Sequence, residues 1–257
     1  GNMAQYGSIP TKPEPYEAVH KRTPDEWESE VKRGFLTKVY GLLSIQLAFT
    51  VAACYFCMYV EPIKAFMLST GTITLYICLA ATIIILLALA CVPDLRQKYP
   101  TNVFLLAAFT FFESWLIGSI CSQFQFASEQ CAASGIEGCG NIAMTVWAAW
   151  GLTMLVFFAL TAFVSISGID FSFMGLFLAV GALLMMVWGL LILIFGWHMS
   201  FFHGLCGALL ASGYIIYDTW QIMARMTPDD YVWACIDLYI DIINLFLSIL
   251  EMLNSRN

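Results

Sequence analysis

Polar and apolar positions fall in long blocks along this chain. A polar opening, residues 1–34, is punctuated by Pro10, Pro13, Pro15 and Pro24 and holds no apolar core of a secretory leader, so the first apolar block is expected to act as its own insertion signal. Residues 39–60 carry no charge between Lys38 and Glu61, and roughly 20 apolar residues suffice to cross a bilayer as a helix. The same reading places further spans at 72–92, 102–122 and 142–166. From Asp170 to Asp218 no acidic residue, Lys or Arg occurs, which is too long for one crossing, and "FGWHMS" at 195–200 divides it into 171–195 and 201–223. The turn "ARMTPDD", with Pro228 as a helix breaker and aspartates at the next start, leads into 231–253. The pattern predicts an all-α membrane protein: a polar Pro-containing tail, 1–34, and a seven-helix transmembrane domain, 35–257.

Charge gives that bundle a direction. Lys12, Lys21, Arg22, Lys32, Arg33, Lys38, Arg96, Lys98 and Arg225 fall on the amino-terminal side of the predicted topology, and only Lys64 and Arg256 on the other. Positive residues stay in the cytosol, so the amino terminus is expected there and the carboxyl terminus across the membrane. Composition agrees, at 60% hydrophobic and 11% charged residues, where a soluble domain carries about 25% charged. A net charge of −7 argues against a nucleic-acid partner.

Topology also sorts the cysteines. Cys54, Cys57, Cys78, Cys91, Cys206 and Cys235 lie in spans and read as small apolar packing residues. Cys131 and Cys139 lie in the non-cytosolic loop "SEQCAASGIEGCGN", with Cys121 nearby, and can form a disulfide in an oxidising lumen. Without a His or a paired CxxC, metal binding there is disfavoured.

Four acids remain inside the spans: Glu113, Asp218, Asp237 and Asp241. Ionisable residues at membrane depth are costly and mark functional sites by default, the alternative being an acid held protonated that only bonds a neighbouring helix. Asp237 and Asp241 share one helix face, about 6 Å apart along the axis. The short turn before 231 makes the last two helices antiparallel neighbours, so Asp218 can meet that face at matching depth. Carboxylates crowded in low dielectric cannot all ionise and titrate as a unit, which points to a proton switch or a weak, transient calcium site formed by Asp218, Asp237 and Asp241.

The same residues carry a family pattern. "YIIYDTWQIM" (214–223) and "DDYVWACIDLYIDIINLFLSIL" (229–250) resemble the end of the transmembrane Bax inhibitor motif family, and "RGFLTKVYGLLSIQLAFT" (33–50), "RQKYPTN" (96–102) and "FTFFESWLIG" (109–118) resemble its Lifeguard branch. The resemblance implies seven helices around a central helix 7, a place in endomembranes, calcium leak from internal stores and suppression of cell death. It also implies a pH-sensitive latch at the cytosolic end of a pore, with Asp218 and Asp241 as the aspartate pair, Arg96 as the arginine that can contact it, and Glu113 as the third-helix glutamate. Asp237 stands where the branch usually has Asn. The acid that some bacterial relatives carry in helix 2 is missing, so Glu113 would have to replace it in any ion pathway.

Competing functions lose on the residues available. No lysine in the last span supports a Schiff base, and His20, His198 and His203 are too few and too scattered for an intramembrane zinc hydrolase. His198 and His203 are expected near the non-cytosolic turn, as interfacial groups. The expectation is a non-enzymatic, pH-sensitive calcium leak channel of the endoplasmic reticulum or Golgi, with the plasma or endosomal membrane as the alternative. Calcium is its permeant ion, and no cofactor is tightly bound. The competing expectation is a non-conducting scaffold that binds cell-death regulators or other channels.

Overall fold

A computed structural model describes residues 24–134, 141–195 and 200–255. Long helices account for nearly all of it: α1 (Pro24–Tyr59), α2 (Glu61–Cys91), α4 (Thr101–Ala133), α5 (Asn141–Ser167), α6 (Met174–Phe195), α7 (Ser200–Ala224) and α8 (Tyr231–Asn254). A short helix, α3 (Pro93–Gln97), lies between α2 and α4, and a 3-10 turn, Pro228–Asp230, joins α7 to α8. Among the described residues six helices are long and apolar enough to cross a membrane; α7 is less apolar, carrying Gly204, Gly207, Gly213, Asp218 and Gln221.

Several helices outrun the spans that hydropathy marks. The 36 residues of α1 measure about 54 Å at 1.5 Å per residue, well beyond a hydrocarbon core of about 30 Å. The helix begins inside the polar opening, because water does not prevent Glu- and Lys-rich sequence from continuing a helix that the apolar part has nucleated. In the same way α2 starts at Glu61 and α4 runs on to Ala133.

Burial identifies the centre. In α8, 67% of the apolar stretch is buried, against 6% in α6. Helix α8 packs on α7, α5 and α1, while α6 touches only α7. The ring of Phe246 stacks on Trp150 of α5 at 4.2 Å between centroids, and Tyr239 meets the edge of Phe109 of α4 at 5.7 Å. Buried hydroxyls cross-link this centre: Thr50 of α1 bonds both Ser114 of α4 and Tyr239 of α8 at 2.8 Å, and Gln46 Nε2 donates to Thr110 at 2.7 Å.

Small residues allow close approaches between helices. A Cβ on Gly204 would lie 2.7 Å from the Ser248 carbonyl oxygen and 2.9 Å from the Met252 nitrogen, and one on Gly207 would lie 2.6 Å from Ser248 Oγ. On α6, Gly175 and Gly181 make room for Tyr217 and Leu210 of α7. The entry to α8 is set by Pro228 at the first position of the 3-10 turn and by Thr227 Oγ1, which donates to Asp230 Oδ2 at 2.7 Å.

Candidate functional site

Asp218, near the carboxyl end of α7, and Asp241, on α8, face each other across the interface of the two helices. Both are buried, at 8% and 6% exposure, and their carboxyl groups are in hydrogen-bond contact. A second bond, from Gln221 Nε2 to Asp218 Oδ1 at 3.0 Å, leaves Asp241 Oδ2 as the buried oxygen without a partner. Two carboxyl groups can hydrogen-bond only if at least one holds a proton, so the pair takes up and releases protons as a unit.

The antiparallel packing of α7 and α8 brings the predicted residues together. Asp237, half-buried one turn from Asp241, feels the charge of Asp218 and adds to that on Asp241. Tyr214, one turn from Asp218, borders the pair. The three aspartates nonetheless do not converge on a point: among the described residues no group of three or more His, Cys, Asp or Glu side chains is placed to hold a metal ion. The arrangement suits a proton better than a resident calcium ion, whose tight sites use 6–8 oxygens.

Arg96 and Glu113 lie apart from the pair. Arg96 sits on α3 beside Trp233, its Cζ 5.9 Å from the ring centroid, with Nε buried and unbonded. Trp233 is one helical turn before Asp237, so the guanidinium stands at the same end of α8, but among the described residues no ion pair joins it to an aspartate. Glu113 opens instead onto a crevice of about 320 Å³ between α2, α4 and α8, beside Tyr239 and Asn244. Tyr239 and Asp241 are two residues apart, and at 100° per residue they point to nearly opposite sides of α8. The helix itself therefore separates Glu113 from the aspartates.

Two polar contacts stand out that hydropathy reading missed. Lys64, beside the start of α2, is 7% exposed and bonds Glu129 of α4 at 2.8 Å and Glu61 at 2.8 Å. Those bonds, led by Glu129, hold its ammonium above the ordinary lysine range. Nothing local marked Lys64 as buried, because its partner is 65 positions away. The second contact joins His203 Nδ1 to Glu251 Oε2 at 2.8 Å, linking α7 and α8 at the end opposite the aspartates. A polar periodicity along α8, Asp237, Asp241, Ser248 and Glu251, did carry a signal for it. Cys131 is disulfide-bonded, and Cys139, its expected partner, lies outside the described residues, as does His198.

The family described as inhibitor of apoptosis-promoting Bax1 matches residues 32–257, a stretch containing the aspartate pair and every long helix but the first turns of α1. The chain belongs to that family. Among its relatives, Protein LIFEGUARD 3 of Arabidopsis thaliana is 33% identical over 244 residues, covering 93% of this chain and 89% of its own length. Protein lifeguard 3 of Homo sapiens is 30% identical over 245 residues, 91% of this chain and 73% of its own length. The Golgi anti-apoptotic protein of Vaccinia virus (strain Lister) is 31% identical over 228 residues, 88% and 87% respectively. The resemblance read from residues 33–50, 96–102, 109–118, 214–223 and 229–250 thus extends over nearly the whole chain.

Proposed function

We propose that this Bax inhibitor family member is a pH-sensitive calcium leak channel of an internal membrane, gated by the Asp218–Asp241 pair. The observation that carries the reading is the direct contact between two buried carboxyl groups on different helices. Removing its proton leaves two like charges touching in low dielectric, and adding a second proton removes the charge altogether. Either change alters the attraction between α7 and α8, a packed pair able to shift as a unit. Asp237 adds charge to the same face, Arg96 stands beside Trp233 one turn before it, and Glu113 lies in a largely apolar crevice elsewhere on the bundle. Permeation needs weak binding, which fits an acid group that does not form a closed ligand set.

In this proposal α7 is the seventh crossing despite its lower hydropathy, the amino terminus is cytosolic, and the aspartates lie near the cytosolic face. The excess of Lys and Arg on the tail and the α3 and α7–α8 connections supports that orientation. The family description and the printed name of the Vaccinia virus relative support a role in suppressing cell death and an endomembrane address such as the Golgi. Pure protein reconstituted in calcium-loaded liposomes tests the reading: efflux above that of empty liposomes is expected. Efflux indistinguishable from that of protein-free liposomes at every pH from 5 to 8 would leave the non-conducting scaffold that binds cell-death regulators or other channels.

A further inference from the structure

We propose that His203 and Glu251 form a second proton-responsive contact on the α7–α8 pair, at the end opposite the aspartates, so that acid on either face of the membrane acts on the same two helices. As a regulator of flux, this contact rests on the channel reading above; as a proton-responsive clamp, it does not.

The geometry is specific. His203 lies in the first turn of α7 and Glu251 in the last turn of α8, with Nδ1 and Oε2 2.8 Å apart. Their side chains are 23% and 35% exposed, open enough to exchange protons with the adjoining water. The edge of Trp188 on α6 meets the imidazole at 5.6 Å between centroids and fixes the ring's orientation. Between this contact and the aspartates, Gly204 and Gly207 let the α7 backbone rest directly on Ser248 and Met252. Close-packed backbones without intervening side chains transmit a shift at one end along the pair.

Few other charges face the contact. Of the helices that pack on α7 or α8, α5 and α6 contain no Asp, Glu, Lys or Arg; α1 carries Glu28, Glu30, Lys32, Arg33 and Lys38 in its amino-terminal half, and α4 carries Glu113 and Glu129, the latter bonded to Lys64. On α7 the next titratable side chain is Cys206, which is exposed, and on α8 it is Asp241. The response is therefore set by the imidazole and the carboxylate. A neutral imidazole can donate its Nδ1–H to the Glu251 carboxylate; a protonated one adds its own positive charge and turns that bond into an ion pair. Imidazoles ordinarily gain their proton between pH 5 and 8. Acid on this face therefore tightens the α7–α8 ends.

Two readouts on the full chain test this. In oriented liposomes with the two pH values set independently, acidifying the His203 face from about pH 8 to 6 is expected to lower wild-type calcium efflux about threefold. His203→Gln and Glu251→Gln should lose that response while keeping the response to pH on the aspartate face. Separately, thermal midpoints of wild type, both single variants and the double variant should be non-additive at pH 6 and closer to additive at pH 8. Additive midpoints at both pH values overturn the contact as a proton-responsive clamp. An unchanged flux response in His203→Gln overturns its control of flux. If no variant conducts but the midpoints couple as expected, the clamp stands and the channel reading fails.

Discussion

An amide in place of one carboxyl of the buried pair keeps a hydrogen bond and removes a charge; a methyl group removes both. Asp241→Asn can still donate to Asp218, whereas Asp241→Ala leaves the Asp218 carboxyl without its partner across the interface. The alanine variant should be less stable than the asparagine variant by about 1–3 kcal/mol, read as a lower thermal midpoint in detergent. Lys64 makes a related point in the opposite sense. Its ammonium is the buried member, while Glu61 and Glu129 are 79% and 43% exposed. Lys64→Met leaves carboxylates that water can reach, but Glu61→Gln with Glu129→Gln strands a buried cation, so the double variant should be the less stable. Because its partners raise the lysine's folded-state pKa, the ammonium contributes fully below the ordinary lysine value and is lost as pH climbs through the raised one. The midpoint gap between wild type and Lys64→Met should hold steady across neutral pH and shrink above about pH 10.

Helix pairs show what spacing can and cannot reveal. Two glycines of α7 make close approaches of different kinds: Gly204 faces backbone atoms of Ser248 and Met252, and Gly207 faces side-chain atoms of Ser248 and Met185. A Ser248 hydroxyl can rotate away and a backbone cannot, so Gly204→Ala should cost more stability than Gly207→Ala, the former in the range of about 1–3 kcal/mol for overpacking. The pairing of Asp218 with the α8 acids was legible, since a short turn forces antiparallel neighbours. Partners from distant helices were not. Hydropathy reads one segment at a time, so it saw neither the Lys64–Glu129 clamp nor the Thr50–Ser114–Tyr239 hydroxyl cluster that ties α1 and α4 to the central helix. It also could not show that α8 itself stands between Glu113 and the aspartates.

At the scale of the whole molecule, α8 is the most buried of the spanning helices and α1, α4, α5 and α7 pack around it, which places the aspartate pair at the centre of the bundle's contacts. Several of the small and polar positions that lower the hydropathy of α7, His203, Gly204, Gly207 and Asp218, are ones it turns toward α8, so its polarity marks a helix–helix contact. If α7 crosses the membrane, the two termini lie on opposite faces, and tags on each should be accessible from opposite sides of sealed vesicles; tags accessible from the same side would contradict that topology. The central claim is that protons on the Asp218–Asp241 pair set calcium passage. Its most direct test is the pH profile of calcium efflux, from pH 5 to 8, for wild type, Asp218→Asn and Asp241→Asn in liposomes. The wild-type rate should change with pH, and either substitution should flatten the profile. A wild-type profile retained in both variants would contradict the account.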